Sequence, residues 1–180
     1  MRTTVITPRR PGRQPDPAKS QRGIMLLEAL IAIAIFSIGV LGLIGLQAAA
    51  IKNADDARQR AIAAFYGNQL ISRMWADDLA NPANLPISPN LASYAHQPNG
   101  TMCDPLSADP FAGAASANVN VTNWLAALRT ELNGLTSAAI ASSLQQITVL
   151  PGNIVTVTLC WKNPEEAVYH SYTTAAQIRG

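Results

Sequence analysis

The chain has 180 residues, a formal net charge of +2 and a pI near 8.7, with 48% apolar and only 13% charged residues. Six of its 13 basic residues and one of its 11 acidic ones precede residue 24, so the remainder carries 7 minus 10, or net −3. The basic balance belongs to the first 23 residues and argues against general electrostatic binding of nucleic acid. The two cysteines, Cys103 and Cys160, are 57 positions apart, which excludes C-x-x-C and zinc-ligand spacings.

In chain order, residues 1–23 form a basic leader: Arg2, Arg9, Arg10, Arg13, Lys19 and Arg22 stand against Asp16. An apolar run follows from Ile24 to Ala50, interrupted only by Glu28, Ser37 and Gln47. As a helix at about 1.5 Å per residue the run spans about 40 Å, and roughly 20 residues already suffice to cross a bilayer core. Positive residues stay on the cytoplasmic side, which places the bulk of the chain beyond the membrane. There, in an oxidising compartment, an isolated cysteine pair most simply forms one disulfide, Cys103 to Cys160.

Three readings of the N-terminus compete. A secretory signal finds an A-x-A-like site in Ala48-Ala49-Ala50, but a signal core is typically about 7 to 15 residues, roughly half this run. A plain uncleaved anchor leaves Glu28 as a cost of order 3 kcal/mol with no return. The third reading gives the carboxylate a task and rests on the residues around it. Gly39, Gly42 and Gly45 fall on or near one helical face, where small residues allow close helix approach; raised glycine content in a membrane helix accounts for them about as well.

Past Ala50 the chain turns polar with Lys52, Asp55, Asp56, Arg58 and Arg60, yet no proline intervenes before Pro82. Ile62, Tyr66, Leu70 and Met74 recur every four residues, flanked by Phe65, Ile71, Trp75 and Leu79, an apolar stripe of helical period. The spacing predicts one long helix from about residue 25 to 80, its second half packed on a globular head. Residues 81–121 hold Pro82, Pro86, Pro89, Pro98, Pro105 and Pro110 and predict no regular element. A short amphipathic helix is expected over 122–133, opened by Thr122 or Asn123 and stopped by Gly134. The period then changes to two. Ile147–Leu150, the turn Pro151-Gly152-Asn153 and Ile154–Trp161 predict a β-hairpin, with Val155, Val157, Leu159 and Trp161 on the face toward the long helix. Val168–Thr174 predicts a further antiparallel strand. The fold class is α+β, a long N-terminal helix on a small antiparallel sheet.

Nothing here argues for an enzyme, a metal or a cofactor. His96 and His170 stand outside any ligand spacing, and G-x-S-x-G and P-loop motifs are absent. The acid pairs Asp55-Asp56, Asp77-Asp78 and Glu165-Glu166 are expected to be solvated surface, since neighbours on a helix point apart.

The leader ending in Arg22-Gly23, the apolar residues after it and Glu28 at the fifth position past the glycine closely resemble the class III signal of type IV pilins and type II secretion pseudopilins. The long helix carrying a small sheet resembles the pilin layout. The resemblance is close through residues 20–80, notably Gly23-Ile24-Met25-Leu26-Leu27-Glu28, Gly39-Val40-Leu41-Gly42 and Gln69-Leu70-Ile71-Ser72-Arg73-Met74-Trp75, and looser through Asp109-Pro110-Phe111, the helix around Trp124 and Val155-Thr156-Val157. It departs in having Ile24, where phenylalanine is commoner, and no proline in the apolar helix. The likeness implies cleavage between Gly23 and Ile24 by prepilin peptidase, N-methylation of Ile24, and docking of Glu28 on the amino terminus of a neighbouring subunit. It implies three segments: leader 1–23, transmembrane and filament-core helix 24–51, and a periplasmic head 52–180 that includes the second half of the long helix. It further implies a minor pilin, similar to the type IV pilus modification proteins, that is held first in the inner membrane and then in the pilus. Its partners would be other minor pilins, the major pilin and the pilus assembly machinery, in adhesion, twitching motility or DNA uptake. A minor pseudopilin of type II secretion is the alternative; a membrane-anchored periplasmic binding domain is the alternative from a different class.

Overall fold

The computed structural model describes residues 22–80, 88–164 and 166–178; the leader, apart from Arg22 and Gly23, lies outside them. Helix α1 runs Arg22–Ala80, and the chain divides into two compact units between Ala49 and Ala50. In the first unit residues 24–49 are one exposed apolar helical stretch. The second unit contains the rest of α1, α2 (Pro89–Ala92), α3 (Val119–Glu131), α4 (Ala138–Ser143) and strands β1 (Gln145–Leu150), β2 (Ile154–Trp161) and β3 (His170–Gln177). The architecture is α+β.

The sheet is antiparallel in the order β1-β2-β3, with Ile147 opposite Val157 and Val157 opposite Thr174. Central strand β2 buries Val155, Val157, Leu159 and Trp161 completely, the alternation expected of a strand with one face on a core. The three-residue hairpin loop places Gly152 and Asn153 in the left-handed region, which glycine adopts freely and asparagine tolerates. Asn153 also ties the chain together: its Oδ1 accepts from Ser88 N–H at 2.9 Å and its carbonyl accepts from Ile178 N–H at 2.9 Å.

On α1 the buried seam comprises Gln59, Ala63, Gly67, Leu70, Ile71, Met74 and Asp78. It differs from the four-residue stripe of the sequence reading at its start. A strict spacing of four drifts around a helix of 3.6 residues per turn, so Ile62 and Tyr66 are only half-buried and small residues occupy the closest approach. A Cβ on Gly67 would lie 3.0 Å from Thr174 Cγ2 and 3.3 Å from Leu159 Cδ1. Here the helix backbone meets the sheet side chains directly. Phe65, Trp75 and Leu79 face outward.

Several boundaries differ from expectation. The proline-rich stretch contains one helical turn, α2, because Pro89 occupies a first-turn position where a missing N–H costs nothing. Helix α3 starts at Val119, three residues early, because Asn118 Oδ1 accepts from Asn120 N–H at 2.8 Å and caps it. Helix α4 was not anticipated; it is capped by Ser137, whose Oγ accepts from Ile140 N–H at 3.2 Å. Strand β1 begins two residues early, at Gln145, and β3 runs 170–177 where 168–174 was expected.

Candidate functional site: a bare apolar helix and its carboxylate

From Ile24 to Leu46 every large apolar side chain of α1 is exposed, Leu26 by 68% and Phe36 by 72%. By length and composition the stretch is long and apolar enough to cross a membrane, which fits a single-pass anchor. Its polar groups are few. Ser37 Oγ donates to Ile33 O at 2.7 Å, so the hydroxyl is satisfied inside the helix. Glu28 has no such outlet. It is exposed, shares a face with Ile24, Leu27, Ile31, Ala32 and Ile35 around a shallow depression, and has no ion pair among the described residues. Ile24 and Glu28 stand one turn apart, and Gly23 lies in the first turn of α1. Among the described residues a Cβ on Gly39, Gly42 or Gly45 would meet nothing within 4 Å.

The head has its own polar fastenings, and here the acid pairs depart from expectation: they are latches as well as surface. Tyr94 OH and Asn120 Nδ2 both donate to Asp77 Oδ2, the latter at 2.9 Å, while Arg73 donates to Asn120 Oδ1 at 3.0 Å. Burial, together with the bond to Asp77, pushes the Tyr94 hydroxyl up to about 12. Asp78 is 2% exposed. Nearer the start of the unit, Asn133 Nδ2 donates to Asp55 Oδ2 and Asn163 Oδ1, both at 3.2 Å, and Asn133 N–H donates to Gln59 Oε1 at 3.1 Å. His170 stacks on Trp161 and bonds Glu166, whose carboxyl is thereby held below the usual range. Glu165 lies outside the described residues.

Cys103 and Cys160 are joined at disulfide distance with Cα atoms 5.9 Å apart. The pair fastens the 97–114 loop to β2, as anticipated. Sequence reasoning missed two further fasteners. Gln146, buried, places its Nε2 3.0 Å from the carbonyls of Gln97, Asn99 and Gly100, which share its two N–H donors. His96, fully buried, donates from Nε2 to Ser142 O at 2.8 Å and accepts from Ser116 N–H at Nδ1, 3.0 Å. Desolvation lowers its pKa and keeps the ring neutral. Neither a lone glutamine nor a lone histidine carries a sequence signal for such a role.

The described residues hold no cluster of three or more His, Cys, Asp or Glu suited to a metal ion. The stretch from Ile24 to Leu46 is thus an exposed apolar helix carrying one charged side chain, Glu28. Comparison with family models, curated proteins and solved structures returns no match.

Proposed function

We propose that the chain is a minor subunit of a type IV pilus, processed by prepilin peptidase between Gly23 and Ile24 and N-methylated at Ile24. Before assembly it sits in the inner membrane as a single-pass protein with its head in the periplasm; afterwards it joins other minor pilins and the major pilin, priming or modifying the filament. The observation that carries this reading is Glu28, which has no ion pair among the described residues, one turn from Ile24 on an exposed apolar helix. An intramembrane carboxylate costs of order 3 kcal/mol on insertion scales and is retained where a partner awaits it. After cleavage, the Ile24 amino group of a neighbouring subunit supplies that partner, and pairing offsets the burial of both charges. The bare glycine face admits the neighbouring helix closely.

Two substitutions in the full chain test the proposal. Gly23→Leu blocks leader removal and leaves the longer form on a denaturing gel. Glu28→Ala preserves membrane insertion and leader removal but abolishes recovery of the subunit with sheared pili. Unchanged size in the first variant together with unchanged pilus recovery in the second sinks the reading; recovery with a secretion apparatus rather than pili reassigns it to the pseudopilins.

A further inference from the structure

We infer that the head carries a knob and a socket that fit each other between two copies of this chain: Leu106 and the cleft between α3 and α4. Leu106 is 94% exposed, more than any other large apolar side chain among the described residues. Its turn is fixed in advance. Leu106 N–H donates to Asp104 Oδ1 at 2.9 Å, Ser107 N–H to Asp104 O at 3.0 Å, and Thr101 and Met102 N–H to Asp109 O at 3.1 and 3.0 Å. Cys103, three residues away, is tied to Cys160. An apolar group displayed on a preorganised turn has already met most of the ordering cost of binding.

The knob is flanked by Asp104 and Asp109, and the sequence has no Lys, Arg or His from residue 97 to 128. The socket has the opposite character. It is a cleft of about 260 Å³ with an apolar floor of Leu125, Ala126, Ala138 and Ala141, rimmed by Thr122 and Arg129. Among the described residues Arg129, Asp104 and Asp109 form no ion pair. Leu106 does not fill the socket of its own copy, as its exposure shows. Seated in a second copy, it buries its side chain and brings Asp104 or Asp109 to Arg129. Knob and socket are different surfaces, so the contact is heterologous and each copy keeps one of each free, which builds an open array unless the rotation closes it. This contact joins heads and stands whether or not Gly23 is cut.

The test uses the full chain in membranes, with two differently tagged copies co-expressed. One carries Ala108→Cys beside the knob and the other Thr122→Cys on the socket rim, both exposed positions. Mild oxidation is expected to give a mixed-tag dimer on a non-reducing gel, several-fold above the yield when Ala175→Cys, exposed on β3, replaces the rim cysteine. Leu106→Asp on the knob copy abolishes it; Asp109→Arg, which keeps the Asp104 bond that fixes the turn, lowers it several-fold, and Arg129→Asp on the socket copy restores it. Thermal melts of the same variants, unchanged, show that the heads are folded. A yield no higher than the Ala175→Cys control, one that survives Leu106→Asp, or one that ignores the charge exchange overturns the proposal.

Discussion

Between Ile24 and Leu46, α1 exposes all its large apolar side chains; between Gln59 and Asp78 it buries a continuous seam against the rest of the head. Both stretches are helical and free of proline, so backbone propensity does not separate them. The difference lies in where the covering atoms come from. The second stretch finds them in β2, β3 and α3, with Trp124 Nε1 donating to Tyr66 O at 3.1 Å. The first finds none in its own unit. Small residues mark the contrast: Gly67 lies against Leu159 and Thr174, whereas Gly42 faces open space.

The comparison is broken most forcefully by opening the disulfide. Cys103→Ser with Cys160→Ser removes a 57-residue tie and is expected to destabilise the head by up to about 4 kcal/mol in the chain-entropy model, measured by denaturant unfolding in detergent. Met74→Ala, at a position with no exposure, costs about 2–5 kcal/mol by the same measurement, while Leu41→Ala in the bare stretch leaves head stability unchanged; an equal loss in both would erase the distinction. Gly67→Leu forces helix and sheet apart and costs about 1–3 kcal/mol, whereas Gly42→Leu leaves the head intact and acts only on association. Asn118→Ala removes the α3 cap for about 1 kcal/mol. The pH dependence sharpens the picture. His96 has a folded pKa below its unfolded value of about 6.5, so the unfolded chain binds more protons. His96 contributes stability that is present above about pH 6.5 and lost as pH falls toward the folded pKa. Melts from pH 7.5 to 5 are expected to show this loss, and His96→Gln to flatten it.

The long helix, the hairpin and the inward face of β2 were legible because hydrophobic period and turn chemistry are local. The caps of the short helices were harder. Val119-Asn120-Val121-Thr122 is rich in β-branched residues that disfavour a helix, and only the Asn118 cap and the burial of Val121 and Trp124 carry it. Ala138–Ser143 is too short to show a period. Buried Gln145 and Gln146 hid the start of β1, since their polar ends are satisfied by carbonyls distant in sequence. Glu28 was legible for the opposite reason: its oddity is local, and nothing in the described fold absorbs it.

Gly67 also has a mechanical meaning. With no side chain on the helix at Gly67, the α1 backbone rests directly on the side chains of Leu159, Tyr172 and Thr174, so only the sheet's half of this contact can yield. Tension or torsion carried along the second half of α1 therefore passes through three short contacts into β2 and β3, whose paired backbone shares it as shear.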